Sequence, residues 1–251
     1  MEKSISLISL PDQFNAATYF IDRHHQEGRD GKVAIECGNN STTYRELREQ
    51  VNRFGNGLRK LGVKNGERIL LLLLDTPEFA VSFFGAIKIG AIPIPVNTFL
   101  ASQEYEYLLN DSEASVLIVS SSLLPKVQFT TQRTLRSLKH ILVVGQEGSQ
   151  EINFKNFIEE NSSELEAIPT NKDDVAFWIY SSGSTGHPKA CVHLQHDMVV
   201  CSERFAKGIL NMTERDRCFS VSRLFFAYGL GNALYYPLSV GAASILTPEP
   251  P

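Results

Sequence analysis

The chain has 251 residues, of which 43% are hydrophobic and 21% are charged, and its formal net charge is −4. This balance is typical of a globular protein with enough apolar residues for a packed core, in one large domain or two small ones. Its 24 Lys and Arg residues are scattered and form no basic block, which argues against a nucleic-acid-binding surface.

The cysteines and the apolar runs bear on three further questions: disulfide bonding, secretion and insertion into a membrane. The four cysteines show no Cys-x-x-Cys spacing, so neither a disulfide framework nor a zinc knuckle is expected, and a reduced cytoplasmic setting fits. The first residues lack the long apolar stretch of a secretion signal. The apolar run at 69–74 is far shorter than the ~20 residues that a membrane helix needs, so no membrane contact is expected.

The first half of the chain alternates predicted strands with predicted helices. A strand at 33–37 precedes a helix that Thr42 or Thr43 caps, and Glu46 follows Thr43 at capping-box spacing. Apolar residues recur every three or four positions along this helix, which predicts one buried stripe of Leu47, Val51, Phe54, Leu58 and Leu61. Further strands are predicted at 68–74, 91–96, 115–119 and 141–144, and further helices at 78–89, 103–110 and over much of 123–139.

The second half continues the alternation after a polar connection at 146–173, which holds one short predicted helix at 154–160. Strands are predicted at 175–179, 191–193, 218–221 and 243–246, and helices at 197–210 and 230–238. The helix at 197–210 would bury one face formed by Met198, Cys201, Phe205 and Ile209. The whole pattern predicts an α/β fold, with a doubly wound, mostly parallel sheet and flanking helices.

A phosphate-binding loop is predicted directly after the strand at 175–179. Segment 180–189 reads YSSGSTGHPK, which places hydroxyls and two glycines before a lysine. Glycine lets backbone N–H groups approach an anion closely, while hydroxyls and the Lys189 ammonium add donors and charge. The spacing of Gly183 and Gly186 excludes the common P-loop, and Ser184 lacks the spacing of a hydrolase nucleophile. The alternative is a Ser/Gly-rich surface turn.

Segment 180–189 resembles the phosphate-binding signature of the AMP-forming adenylate synthetases, which include acyl-CoA ligases, luciferases and adenylation domains. Two further segments resemble the benzoate-CoA ligase branch, FNAATY at 14–19 and LFFAYGLGNAL at 224–234. The likeness covers nearly the whole chain, with Ala190 standing where the family usually has glycine. It implies that residues 1–251 are the N-terminal part of the AMP-binding (adenylation) domain, without the remainder of that domain and the small C-terminal domain.

The resemblance also implies which residues form the site. Those that would cradle the β- and γ-phosphates of ATP, with Mg²⁺ sharing the charge, are Ser181, Ser182, Gly183, Ser184, Thr185, Gly186 and Lys189. Thr185 and Lys189 are expected to act in the chemistry. The residues implied to line the carboxylate-substrate pocket are Ala227, Tyr228 and Gly229. Phe226 or Tyr228 would offer an aromatic ring its flat apolar surface, although Phe225 and Phe226 equally fit a plain role in the core.

The activity implied by the resemblance is AMP-forming carboxylate-CoA ligation of benzoate or a close aryl acid. The acid's carboxylate would attack the α-phosphorus of ATP, and the thiol of coenzyme A would then displace AMP from the acyl-adenylate. The expected partners are therefore an aryl carboxylate, ATP and CoA, and a homodimer is left open for the full-length protein. This chain is expected to be inactive alone. Two alternatives stay open, a non-catalytic nucleotide- or acyl-binding module and a ligase for an aliphatic acid.

A metal site is not expected. Cysteine and histidine side chains fall close together at Cys191, His193, His196 and Cys201. The segment is predicted to run as a strand and then a turn, which would not converge four ligands on one zinc ion. His187, inside segment 180–189, is expected to be solvent-exposed.

Overall fold

The computed structural model describes residues 8–128, 135–145, 151–181 and 186–249. The strands in these ranges are β1 (Val33–Cys37), β2 (Asn40–Thr43), β3 (Arg68–Leu72), β4 (Ile92–Pro95), β5 (Val116–Ser120), β6 (His140–Val144), β7 (Ile152–Asn153), β8 (Val175–Ser181), β9 (Lys189–Leu194), β10 (Arg217–Phe219) and β11 (Ala243–Leu246). The α-helices are α1 (Arg23–Gln26), α2 (Tyr44–Lys60), α3 (Pro77–Lys88), α4 (Ser102–Ser112), α5 (Pro125–Gln128), α6 (Phe154–Glu159), α7 (Asp197–Cys201), α8 (Ala227–Leu230) and α9 (Tyr236–Val240). Among them, none has the length and the apolar character to cross a bilayer.

The largest sheet is parallel and covered on both faces. Its five strands run in the order β4, β3, β5, β6, β7, and every neighbouring pair is parallel. Ile69 and Leu71 of β3 enter a core that they share with α2 and α3. Leu70 and Leu72 point to the opposite face, into a second core with α4. Because successive side chains of a strand alternate between faces, a continuous apolar strand such as β3 needs both layers.

A second sheet joins the beginning of the chain to its end. Its order is β10, β11, β1, β2, with β10, β11 and β1 parallel and β2 antiparallel to β1. The predicted α/β class with mostly parallel strands and flanking helices is therefore confirmed, with the parallel strands divided between two sheets. Each predicted strand in these two sheets is present, with its ends displaced by no more than two residues.

Strands β8 and β9 form an antiparallel hairpin of their own. Strand β8 also lies alongside β4, at one edge of the parallel sheet. The hairpin differs from the βαβ pattern of the rest of the chain, because segment 180–189 reverses the chain direction within a few residues. A short Gly-containing connection between two strands favours this antiparallel return.

Helix α2 begins and packs as its sequence predicts. The Glu46 amide donates to Thr43 Oγ1 at 3.2 Å, and the Thr43 amide donates to the Glu46 carboxylate at 2.7 Å, which completes a capping box. Four residues of the predicted apolar stripe are fully buried, namely Leu47, Val51, Phe54 and Leu58. Leu61, at the end of the helix, is only partly buried.

Two predicted helices differ from the observed structure. In the described part of 123–139, helix is limited to the end of a 3₁₀ turn at Ser121–Leu123 and to α5, while 135–139 are not helical. The helix at 197–210 is α7 followed by a π-helical stretch, Ser202–Lys207. Its predicted apolar face was wrong beyond Met198, because the buried positions that follow are Val199, Ser202 and Ala206, while the predicted residues Cys201, Phe205 and Ile209 are exposed.

Candidate functional site

The segment predicted to bind phosphate lies at the turn of the β8–β9 hairpin. Ser181 is the last residue of β8 and is paired with Lys189, the first residue of β9. Four of the residues implied to contact phosphate lie outside the described residues, namely Ser182, Gly183, Ser184 and Thr185. The structure therefore describes the two ends of this segment, and the role of Thr185 stays a prediction.

The described ends have the backbone and the exposure that an anion site needs. Gly186 has a φ of +121°, a conformation that side chains with a Cβ rarely adopt. Lys189 is exposed, so its ammonium group is accessible to an anion from solvent. Ser181 is also exposed, and its hydroxyl lies 3.5 Å from the Lys189 carbonyl, to which it donates. Gly186 and Lys189 thus lie close together in the sequence directly after the turn, and their contact with phosphate remains a prediction.

Ala190 fits the hairpin without strain. It lies in β9 opposite Tyr180. In the described ranges the non-glycine residues with positive φ are Glu113 and Asn211, so Ala190 keeps an ordinary backbone conformation. A methyl group at this position therefore meets no backbone demand for glycine.

Both arms of the hairpin turn contact helix α4. The Tyr180 hydroxyl donates to Asp111 Oδ2 at 2.6 Å. The Tyr107 hydroxyl lies 3.2 Å from Asp111 Oδ1 and 3.2 Å from the Pro188 carbonyl. The Tyr107 ring stacks on His187, with centroids 4.5 Å apart and an interplanar angle of 15°. His187 is exposed, as expected, but it also has this aromatic partner.

Tyr107 and Asp111 were not among the site residues predicted from the sequence. Their spacing of four residues places them on one side of a helix and was the available signal. The predicted helix ended at residue 110, which left Asp111 outside it. Helix α4 continues to Ser112, so the carboxylate lies on the same face as the tyrosine ring.

The segment implied to line the substrate pocket follows β10 and opens helix α8. Phe225 is only 3% exposed and belongs to the packed interior, whereas Phe226 is 46% exposed. Ala227 is exposed and Tyr228 is 69% exposed, while Gly229 is buried. The segment therefore presents two of its three implied pocket residues on the surface, above a buried glycine.

A buried ion pair anchors this segment to the end of β3. The Leu224 amide donates to Asp75 at 3.2 Å, and a guanidinium nitrogen of Arg223 lies 3.5 Å from the same carboxylate. Arg223 also donates to the carbonyls of Thr247, at 2.8 Å, and Glu249. Burial raises the pKa of Asp75 to about 6, although the Leu224 amide and the Arg223 charge oppose this shift.

An apolar cavity lies beside the anchor. Its volume is about 230 Å³, and the rings of Phe99 and Phe225 meet edge to face in its wall at 5.9 Å. The other lining residues are Leu73, Leu74, Asp75, Thr98, Leu123, Lys126, Arg223 and Pro248. The cations in this wall already have acceptors, since Lys126 donates to the Thr98 carbonyl at 2.7 Å.

The hairpin and the substrate segment meet around a second, smaller cavity. Its volume is about 40 Å³, and Ile179 of β8 and Ala227 of α8 both line it. The remaining lining residues are Phe177, His193, Asp197, Met198, Cys201, Leu230 and Tyr235. The base of the proposed phosphate loop and the start of the proposed pocket are therefore neighbours, as expected for two segments that follow strands at one end of the fold.

The histidines near the hairpin have partners other than a metal. His193 lies 3.4 Å from Asp197 and stacks on Phe177 at 4.5 Å. His196 lies 3.1 Å from the other Asp197 oxygen and 3.0 Å from the Lys172 carbonyl. Within the described ranges, no three His, Cys, Asp or Glu side chains are grouped so as to hold a metal ion.

Comparison with known proteins gives consistent matches. The family described as AMP-binding enzyme matches residues 22–251. The benzoate-CoA ligase of Thauera aromatica is 43% identical over 245 residues, which are 97% of this chain and 46% of that protein. The 4-hydroxybenzoate-CoA/benzoate-CoA ligase of Rhodopseudomonas palustris is 40% identical and covers 95% of this chain and 44% of its own length. The chain thus spans less than half the length of these relatives.

Solved structures match equally well over the same part. The anthranilate CoA ligase AuaEII, in complex with anthranoyl-AMP, superposes with a TM-score of 0.92 at 36% identity, over 96% of this chain and 46% of that one. A benzoate CoA ligase from Burkholderia xenovorans LB400 gives a TM-score of 0.84 at 40% identity, over 95% of this chain and 46% of that one. The fold and the family are therefore shared, and the match is confined to one part of each enzyme.

Proposed function

Since this chain belongs to the family of AMP-binding enzymes, we propose that it provides the phosphate loop and the acyl pocket of an AMP-forming carboxylate-CoA ligase for benzoate or a close aryl acid. The observation that carries the proposal is the meeting of the hairpin base with Ala227 around one cavity. The names of the relatives, which are ligases for benzoate and hydroxybenzoates, support an aryl substrate.

The proposed chemistry joins two anions, so positioning and fixed positive charge are its main requirements. The carboxylate of the acid attacks the α-phosphorus of ATP, the bond to the β-phosphate oxygen breaks, and pyrophosphate leaves with the negative charge. Coenzyme A then attacks the acyl carbon through its sulfur, loses its thiol proton, and releases AMP. Within this chain, Lys189 and the amides around Gly186 would bind the phosphates, and Tyr228 would bind the aryl ring.

Mg²⁺ fits this arrangement as a charge shared with the phosphates. Phosphate oxygens are ligands of the kind that Mg²⁺ prefers, so ATP would supply part of its coordination. When bound, the ion neutralises charge on the transferred and leaving phosphates. The protein's own contribution is the exposed Lys189 ammonium and the Gly186 backbone.

Calorimetric titration with benzoate, in the presence and absence of Mg·ATP, tests the proposed pocket. We expect saturable benzoate binding that Tyr228→Ala weakens by about tenfold, because the variant loses the apolar face of one aromatic ring. Phe219→Ala is the matched control, since Phe219 is an aromatic residue of β10 that is 52% exposed and lies outside the segment. Its benzoate affinity should equal that of the wild type.

Competition titrations separate the acyl classes. Benzoate should bind more tightly than acetate, because an aryl slot gains affinity from buried apolar area. Tighter binding of acetate would replace the aryl proposal with a ligase for an aliphatic acid. Binding of Mg·ATP without any carboxylate, from a folded and monodisperse sample, would indicate a nucleotide-binding module instead.

A further inference from the structure

Two side chains on helix α4 touch both ends of the phosphate-binding turn. On the side that enters the turn, Tyr180 donates to Asp111 at 2.6 Å. On the side that leaves it, the Tyr107 ring stacks on His187 at 4.5 Å, and its hydroxyl lies 3.2 Å from the Pro188 carbonyl. Two residues one helical turn apart in α4 therefore contact the hairpin on both sides of the phosphate-binding turn.

The contacts share one carboxylate. Asp111 accepts from Tyr180 through Oδ2 and lies 3.2 Å from the Tyr107 hydroxyl through Oδ1. Tyr107 has one hydroxyl proton, which Asp111 and the Pro188 carbonyl share. Burial and the bond to Asp111 raise the pKa of Tyr180, so its hydroxyl stays protonated and donates at neutral pH. A hydrogen bond to a charged acceptor is stronger than one between neutral groups.

Helix α4, which makes these contacts, is itself packed into the core. Its opposite face is held in the core by Tyr105, Leu108 and Leu109, which are at most 2% exposed. The hairpin, in contrast, pairs its two strands only with each other in the described ladders. Strand β8 also packs alongside β4, and the side chains of Tyr107 and Asp111 add contacts from α4 at the end of the hairpin next to the turn.

We propose that Tyr107 and Asp111 are positioning residues that fix both arms of the phosphate-binding turn and so place the Gly186 backbone and the Lys189 ammonium for a nucleoside triphosphate. This assignment deepens the proposed function and rests on it for the identity of the ligand. Neither residue reaches the phosphates in this scheme. Each acts through Tyr180, His187 or Pro188.

Amide hydrogen exchange tests the positioning without any ligand. We expect Asp111→Ala to accelerate exchange at the amides of the paired residues Ser181 and Lys189 by about tenfold, the equivalent of one hydrogen bond to a charged group. Tyr180→Phe, which removes one hydroxyl only, should act in the same direction. Asn110→Ala is the matched control, because Asn110 is exposed on the same helical turn. Exchange equal to that of the control in both variants would overturn the proposal.

Conservative variants distinguish positioning from general stability. Asp111→Asn keeps one carbonyl oxygen that accepts from Tyr180, so it should restore most of the protection that Asp111→Ala loses. Tyr107→Phe keeps the ring on His187 and removes the hydroxyl, and should therefore have a smaller effect than Tyr107→Leu. Equal losses in the conservative and severe variants, together with a lower thermal midpoint, would indicate a structural role and overturn the assignment.

Titration with Mg·ATP and with benzoate then links position to function. Asp111→Ala should raise the Kd for Mg·ATP by about tenfold and leave the Kd for benzoate unchanged, because the variant loses contacts to the phosphate-binding turn and none to segment 224–234. Unchanged Mg·ATP affinity in this variant would overturn the positioning of a triphosphate site. If the wild type binds no Mg·ATP while the exchange results hold, α4 does position the turn and the proposed ligase function fails.

Discussion

Lys189 is the one charged side chain that the sequence places in the phosphate segment, and it is exposed in the structure. A cation that binds an external anion contributes little to folding, because surface substitutions usually change the free energy of unfolding by less than about 0.5 kcal/mol. We expect Lys189→Ala to weaken Mg·ATP binding by at least about tenfold, through the loss of a charge-assisted contact, without changing stability.

Calorimetry with Mg·ATP and chemical denaturation of the same samples check this prediction. Lys155→Ala serves as the control, since Lys155 is a surface lysine whose side chain is 80% exposed. Unchanged Mg·ATP affinity in Lys189→Ala would remove Lys189 from the site.

Gly229 is required by close backbone contact. A Cβ at this position would lie 2.0 Å from the Arg223 carbonyl oxygen and 2.3 Å from the Ser222 carbonyl oxygen. Backbone atoms cannot move aside as a flexible side chain can, so Gly229→Ala should displace the whole segment. We expect it to destabilise the fold by about 3 kcal/mol and to abolish benzoate binding.

Urea denaturation and benzoate titration measure the two effects of Gly229→Ala. The control is Gly31→Ala, because an added Cβ at Gly31 meets nothing within 4 Å. A Gly229→Ala protein as stable as the control would contradict the steric argument. The sequence placed Gly229 in the pocket only by resemblance, since the atoms that forbid a side chain there belong to a turn that no spacing rule reveals.

At the scale of helices and strands, the sequence predicted those features that depend only on neighbouring residues. The capping box of Thr43 and Glu46 and the bounds of β11 follow from neighbouring residues alone. Which face of the helix after Asp197 is buried does not follow from neighbouring residues, because Ser202 and Ala206 are buried and Phe205 is exposed. Tertiary contact overrode the apolar spacing there.

The crossing of α2 and α3 provides a test at this scale. A Cβ on Gly85 would lie 2.7 Å from the Phe54 ring and 3.0 Å from the Val51 carbonyl oxygen. Helix propensity alone favours alanine over glycine by about 1 kcal/mol, while overpacking a buried contact costs about 1 to 3 kcal/mol. We therefore expect Gly85→Ala to destabilise the protein by about 1 kcal/mol, against its propensity.

Denaturation of Gly85→Ala should be compared with Ser82→Ala in the same helix. The Ser82 hydroxyl is buried and has no hydrogen-bond partner among the described residues, so its removal should leave stability unchanged or raise it. A stabilised Gly85→Ala protein would mean that the two helices separate at little cost. The close approach of α2 and α3 would then not be a constraint on the sequence.

At the scale of the whole molecule, the sequence predicted the class of the fold but not how its two sheets are joined. Asp75 follows β3 in the five-stranded sheet, and Arg223 bonds to the chain that follows β11 in the four-stranded sheet. Asp75 and Leu224 are separated by 149 positions, so no periodicity could pair them. The same distance explains why the anchor of the substrate segment was missed.

The Asp75 carboxylate should make stability depend on pH. Its pKa is about 6 in the folded protein, above its ordinary value of 3.8, so the folded state binds the proton more tightly than the unfolded state does. Its contribution to the free energy of unfolding is therefore fully present below pH 3.8 and is lost as the pH rises through about 6. Asp75→Asn should remove this dependence, which amounts to roughly 3 kcal/mol.

The Arg223 guanidinium limits that loss at neutral pH, and a double-mutant cycle measures by how much. Arg223→Met should destabilise the protein at pH 7 by about 3 kcal/mol, because it leaves a buried carboxylate without its cation. Adding Asp75→Asn should recover much of this loss, since the amide still accepts from the Leu224 amide without carrying a charge. Arg217→Met is the control, because Arg217 pairs with Glu36 on the surface, where an ion pair is worth less than about 1 kcal/mol. Additive effects at pH 7, with parallel pH profiles for wild type and Asp75→Asn, would show that the sheets are held together without this ion pair.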